Sequence, residues 1–169
     1  MDFDRAFEIL VDPQHEGGYS VDPNDRGNWT GGQKGVGLLK GTKYGVSAMS
    51  YPGEDIANLT LTRAKQIYAR DFWGPAGCDA VADIVKYQLF DLAVNAGPVT
   101  AIKMMQRAVG AVDDGILGPK TLQRLQSAGD AWLLRRLQAA AIRHYTSLPT
   151  WPAYGKGWVS RLATNMENA

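Results

Sequence analysis

His15-Glu16-Gly17-Gly18-Tyr19 and, three residues on, Asp22-Pro23-Asn24-Asp25-Arg26-Gly27 set a carboxylate at the point where an amphipathic helix stops. Upstream, Phe3, Ala6, Phe7, Leu10 and Val11 recur at helical spacing, so Glu16 follows that helix. The two glycines after it leave the backbone open to the approach of another molecule. A glutamate walled by apolar side chains has its charged form disfavoured and can hold a proton near neutral pH, ready to give to a leaving group. The same five residues also fit a plain helix stop in a glycine turn. His15 is read as a partner of the Glu16 neighbourhood.

Composition narrows the possibilities. With 169 residues, 45% hydrophobic and 21% charged, the chain suits one packed domain, or one domain with a small helical addition. It has no apolar run near the ~20 residues that a membrane-spanning helix needs. Met1-Asp2-Phe3-Asp4-Arg5 puts acids where a secretory signal carries positive charge. The expectation is therefore synthesis in a reducing cytoplasm without a signal peptide. Cys78 is the single cysteine, which excludes an internal disulfide and a cysteine cage. His15 and His144 belong to no spaced ligand set, so neither a metal nor a cofactor is expected. The Gly-x-Ser-x-Gly elbow of many serine hydrolases is missing.

Charge is uneven. Residues 1–97 carry nine Lys/Arg against thirteen Asp/Glu, whereas residues 98–169 carry nine against four. A basic C-terminal part suits an anionic polymer. Arg135, Arg136, Arg143 and Lys156 form no dense run, and no nucleic-acid motif accompanies them, so nucleic acid is not an expected partner. A solvated helix face accounts for these charges equally well.

Helical periodicity dominates outside residues 27–53. There, glycines alternate with pieces such as Val36-Gly37-Leu38-Leu39, giving a small hairpin or an extended loop. Helices are predicted over residues 61–73, entered from Thr60, and over 80–96, stopped by Gly97-Pro98. Further helices are predicted over 99–109, over 119 to 125 or 126, over 131–147 with Asp130 as N-cap, and over 157–165. Asp91 and Asn95 share a helix face, where Asn95 suits a ligand contact and Asp91 a bond between helices. Tyr44 and Tyr51, with glycine and proline neighbours, sit in loops where a flat ring is open to a ligand.

Glu16, Tyr19, Asp22, Asp25 and Thr30, with Thr42-Lys43-Tyr44-Gly45-Val46-Ser47, resemble the N-terminal signature of glycoside hydrolase family 108, the phage and bacterial N-acetylmuramidases. Ser50-Tyr51-Pro52, the stretch from Asn58 to Thr62, the run from Tyr68 to Trp73 and Phe90-Asp91-Leu92-Ala93-Val94-Asn95-Ala96-Gly97 are similar to its later landmarks. From Ala101 the chain resembles the peptidoglycan-binding segment that accompanies this unit, with Met105-Gln106-Arg107-Ala108 and the run from Asp114 to Thr121 as its core.

The resemblance implies a mainly α fold: a lysozyme-like helical body with a small β-hairpin or loop lobe framing a cleft. It implies a catalytic domain over 1–97 and a peptidoglycan-binding segment over 98–169, packed onto it. The implied activity is hydrolysis of the β-1,4 bond between N-acetylmuramic acid and N-acetylglucosamine, with Glu16 as general acid. The Glu16-to-Asp25 spacing is similar to that of phage-type lysozymes, in which a threonine of the small lobe also contributes. Either Thr30 or Thr42 can take that part; Thr42 fits the Thr-Lys-Tyr-Gly segment better, leaving residues 31–41 as an insertion. Substrate contacts are expected from Tyr19, Asp22, Thr30, Tyr44, Tyr51 and Asn95. The competing functions are a lytic transglycosylase working with one acid, and a non-catalytic wall-binding or secretion-assisting protein. The expected partner is peptidoglycan, reached by a monomer that a holin or a secretion device lets out to the wall.

Overall fold

The computed structural model describes residues 1–12 and 18–167, and the chain is mainly α-helical. It groups into two compact units, Phe7–Tyr68 on one hand and Met1–Ala6 with Ala69–Ala169 on the other.

The unit Phe7–Tyr68 contains the sheet. Strands β1 (Tyr19–Ser20), β2 (Thr42–Lys43) and β3 (Val46–Ser47) pair antiparallel in that order, with Tyr19 opposite Lys43 and Thr42 opposite Ser47. Tyr44 and Gly45 join β2 to β3, both at positive φ (51° and 73°). Two successive positive φ angles make the tight turn whose twist matches a hairpin. Residues 29–39 form a loop instead, closed by the Thr30 amide on the Leu38 carbonyl (2.9 Å) and the Gly31 amide on the Val36 carbonyl (3.1 Å). Val36 and Leu38 are exposed, so their alternation has no core face to serve. Helix α2 (Leu61–Tyr68) starts as predicted, with the Thr60 hydroxyl accepting from the Arg63 amide at 3.1 Å.

That helix does not run on to Trp73 in α form. Residues Ala69–Trp73 make a wider π turn, followed by α3 (Gly74–Ala76). Pro75 has no N–H to offer the carbonyl one turn back and its ring presses on it, which opens the helix there. Gly77 ends α3 at φ 69°, and a Cβ at that position would collide with the Leu117 side chain.

The second unit is a helical assembly around α4 (Asp83–Ala96), against which α5 (Pro98–Ala108) and α7 (Asp130–Ser147) both pack. Leu89, Phe90, Leu92 and Ala93 of α4 meet a core that includes Met104, Met105, Leu133, Leu137 and Ala141, all buried. Helix α1 (Phe3–Leu10) contributes Phe3, edge-on to Trp73 (5.4 Å) and Phe90 (5.9 Å). Helix α4 begins later than predicted because Val81 and Ala82 are extended. Asp130 is the first residue of α7 and not its cap; the capping position is Gly129.

Helix α8 (Trp151–Glu167) is much longer than the 157–165 expected. Pro152, Gly155 and Gly157 hide it in the sequence, yet Pro152 stands in the first turn, where its missing N–H costs nothing. At Gly155 a Cβ would strike the Trp151 ring, so glycine lets that indole lie against the helix. Trp158 then stacks on Tyr145 of α7 at 5.3 Å.

A buried carboxylate pins α8 to α4. Asp91, 2% exposed, accepts from Arg161 Nε at 2.5 Å and from Asn165 Nδ2 at 2.8 Å. Burial first, and then the Asp91 carboxylate, push the Tyr87 and Tyr145 phenols above the usual tyrosine range. Helix α6 (Pro119–Ser127) is set by Gln106, which is fully buried. Its Nε2 donates to Asp114 (2.8 Å), to the Ile116 carbonyl (3.0 Å) and to Thr121 (3.2 Å), while its Oε1 accepts from the Gly115 amide (2.8 Å). The Gln106 and Asp114-to-Thr121 motifs therefore meet as one hydrogen-bonded loop.

Removing one partner of a buried ion pair strands the other charge. Asp91→Ala should cost about 3–5 kcal/mol in urea unfolding, and adding Arg161→Met to that chain should recover part of the loss. Burial also pushes the Cys78 thiol up to about 12. Ellman's reagent should leave Cys78 untouched in the native protein at about pH 8 and titrate one thiol once guanidinium unfolds it.

Candidate active site

Glu16 and His15 lie outside the described residues. The other candidates of the N-terminal signature lie in the unit Phe7–Tyr68, and three of them, Asp22, Asp25 and Thr42, meet at a residue that the sequence reading did not single out, Asn28.

Asp22 and Asp25 organise a double turn. Asp22 Oδ1 accepts from the Asn24 amide (2.8 Å), and the Asp25 amide donates to the Asp22 carbonyl (3.1 Å). Asp25 caps the 3-10 turn Arg26–Asn28, its Oδ1 accepting from the Gly27 amide at 2.9 Å. Trp29 closes the turn with an indole N–H on the Pro23 carbonyl (3.0 Å).

Asn28, 1% exposed, joins this turn to the sheet. Its amide nitrogen donates to Asp25 Oδ2 at 2.7 Å and to the Thr42 hydroxyl at 3.5 Å, and its Oδ1 accepts from the Asp22 amide at 3.0 Å. The backbone carbonyl of Asn28 accepts from the amides of Lys40 (2.9 Å) and Gly41 (3.1 Å), just before β2. One carboxamide thus sets Asp22, Asp25 and Thr42 relative to one another. Asp25 is exposed, so its carboxylate is oriented from within and reachable from solvent. The sequence held one clue: Asp22, Asp25 and Asn28 fall three apart, the spacing of consecutive tight turns.

The two threonines have different surroundings. Thr42 shares Asn28 with Asp25, whereas the Thr30 hydroxyl accepts from the Leu38 amide (2.8 Å) and ties down the glycine-rich loop. Tyr19, 47% exposed, lines a cavity of about 320 Å³ with Leu39, Lys40, Gly53, Asp55, Ile56 and Ala57. Hydrogen bonds from the Asn58 side chain and amide hold the Asp55 carboxyl below the usual range. Lys40 Nζ donates to the Pro52 carbonyl (2.8 Å) and fastens the rim of this cavity. Tyr51 is half-buried in the turn after β3.

Tyr44 occupies the left-handed region, which costs a residue with a Cβ about 1–2 kcal/mol. Its carbonyl accepts from the Tyr68 hydroxyl at 3.0 Å, and Lys43 Nζ lies 5.5 Å from its ring centre, so surrounding groups hold the strained turn. Asn95 belongs to the other unit, on α4, and its amide turns back to the Asp91 carbonyl (2.8 Å) and carboxylate (3.3 Å).

The chain is a glycoside hydrolase acting on peptidoglycan, as comparison with known proteins shows. Residues 12–97 match the family glycosyl hydrolase 108, and residues 100–163 match a predicted peptidoglycan domain. The chain belongs to the glycosyl hydrolase 108 family. It is similar to the structure of Brucella abortus SagA, with a TM-score of 0.81 and 28% identity over 98% of this chain and 92% of that one. No curated protein matches the chain.

Asn28→Ala should cost about 1–3 kcal/mol in urea unfolding, because it leaves buried partners unsatisfied. Release of reducing ends from purified walls should fall well beyond the loss of folded protein. Tyr44→Gly relieves the backbone cost, so its unfolding free energy should stay within about 1 kcal/mol of wild type. Its wall lysis should nonetheless drop if the ring meets substrate, which the same reducing-end assay reads.

Proposed function

We propose that the protein is an N-acetylmuramidase that hydrolyses the β-1,4 bond between N-acetylmuramic acid and N-acetylglucosamine in peptidoglycan. Residues 1–97 supply the catalytic part and 98–169 the wall-binding part. The observation that carries the reading is the Asn28 carboxamide, which couples Asp25 to Thr42 within the segment matched to a glycosyl hydrolase family.

In this reading Glu16 gives its proton to the departing glycosidic oxygen as the bond to the anomeric carbon breaks. Asp25, held by the Gly27 amide and the Asn28 side chain, takes a proton from a water attacking the opposite face of the sugar. Thr42, fixed through the same Asn28, positions that water. A carboxylate held from behind by two donors and open in front suits an acceptor of protons. Tyr19, Asp22, Thr30, Tyr44 and Tyr51 are proposed to shape the substrate-binding surface of the unit Phe7–Tyr68. The enzyme acts on the wall after release from the cytoplasm, through a holin or a secretion device.

Glu16→Gln keeps the size of the side chain and removes its proton, so reducing-end release should fall by ~10² to 10⁴, with binding to walls retained. Mass analysis of the released muropeptides separates the alternatives: hydrolysis leaves reducing ends, transglycosylation leaves anhydro sugars, and a pure binder releases nothing. Proton NMR on a defined oligosaccharide should show the α-anomer first. Initial β-product would contradict a water activated by Asp25.

A further inference from the structure

The face between α5 and α7 carries a groove of about 310 Å³ that the catalytic reading does not use. Arg107 enters it from α5, and Arg136, Arg143 and His144 enter it from α7, over a floor that includes Ala108 and Ala140. Arg136 and Arg143 are two helical turns apart and so share one face. Arg136 is fixed by its Nε on the Ala108 carbonyl (2.6 Å), and its guanidinium lies 4.8 Å from the Trp132 ring centre. Arg107 donates to Asp113 at 2.6 Å. Arg143 is exposed, and its guanidinium has no partner among the described residues. Three guanidinium groups thus line the groove, and one of them is paired with Asp113.

We propose that this groove binds the carboxylates of peptidoglycan stem peptides. Guanidinium groups match carboxylates in paired hydrogen bonds. The alanine floor offers contact to the methyl groups of the alanine-rich stem. His144 is held below the usual histidine range, by burial first and then by Arg107, and so presents a neutral ring to a peptide amide. A bare phosphate would gain nothing from the apolar floor. The assignment rests on peptidoglycan as substrate and gives the C-terminal segment a defined contact with it.

The test uses the full chain, a free stem peptide of alanine, glutamate, diaminopimelate and alanine, and the same peptide with its carboxylates amidated. Titration should show saturable binding of the free peptide and about tenfold weaker binding of the amidated one. Arg143→Glu should weaken binding about tenfold and erase the difference between the two peptides. Arg135→Glu makes the same charge change one residue outside the groove and should shift the affinity less than about twofold. Equal losses in the two variants would overturn the proposal, because general charge would then explain binding. So would indifference to amidation, or displacement of the peptide by inorganic phosphate at equal concentration, which would mark a phosphate site. Wild-type protein that releases no fragments from walls would overturn the muramidase reading instead, leaving the peptide titration to decide the groove.

Discussion

A buried carboxamide has a carbonyl to fill and two N–H bonds to place, and leaving any of them unmet costs about 1–3 kcal/mol. Asn28 meets that demand by drawing in the Asp22 amide, the Asp25 carboxylate and the Thr42 hydroxyl. The candidate active site depends on this constraint. Asp22 and Asp25 belong to turns, Thr42 to a two-residue strand, and neither kind of element has much rigidity by itself. Gln106 solves the same problem in the helical unit, where it gathers Asp114, Gly115, Ile116 and Thr121. Both units therefore fix a loop through one side chain that hydropathy scores as unfavourable inside.

Much of the fold was legible in the sequence. The stripes of α4, α5 and α7 emerge from apolar periodicity, and Thr60, Gly97 and Pro98 mark helix ends by backbone chemistry alone. The misreadings have local causes. Pro152 and the glycines of α8 look like breakers until Trp151 is seen lying in the space that Gly155 leaves. The π turn at Ala69–Trp73 follows from Pro75, which acts on the turn before it and so lies outside the stretch it distorts. Loop apolars such as Leu38 imitate strand alternation without a face to bury.

The site was legible in a different way. The family resemblance pointed to Glu16, Asp25 and either Thr30 or Thr42, but what holds Asp25 and Thr42 together is a buried polar residue with no chemistry of its own. Sequence patterns report which groups can react; they say little about the inert side chains that orient them. The C-terminal motif shows the reverse. Gln106 and the stretch from Asp114 to Thr121 invite a reading as recognition residues, yet Gln106 and Thr121 are buried and spend their polar atoms on each other and on the loop.

Leu117 rests where only a glycine at position 77 leaves room, so the loop between α5 and α6 is fitted to a turn forty residues earlier in the chain. Helix α4, inside the segment matched to the hydrolase family, is likewise covered by α5 and α7 from the segment matched to the peptidoglycan domain. The two segments are thus not interchangeable cassettes. A chimera joined at Gly97 would inherit a foreign surface over α4 and a foreign side chain over Gly77, and recombination between such enzymes should succeed only where both contacts travel together.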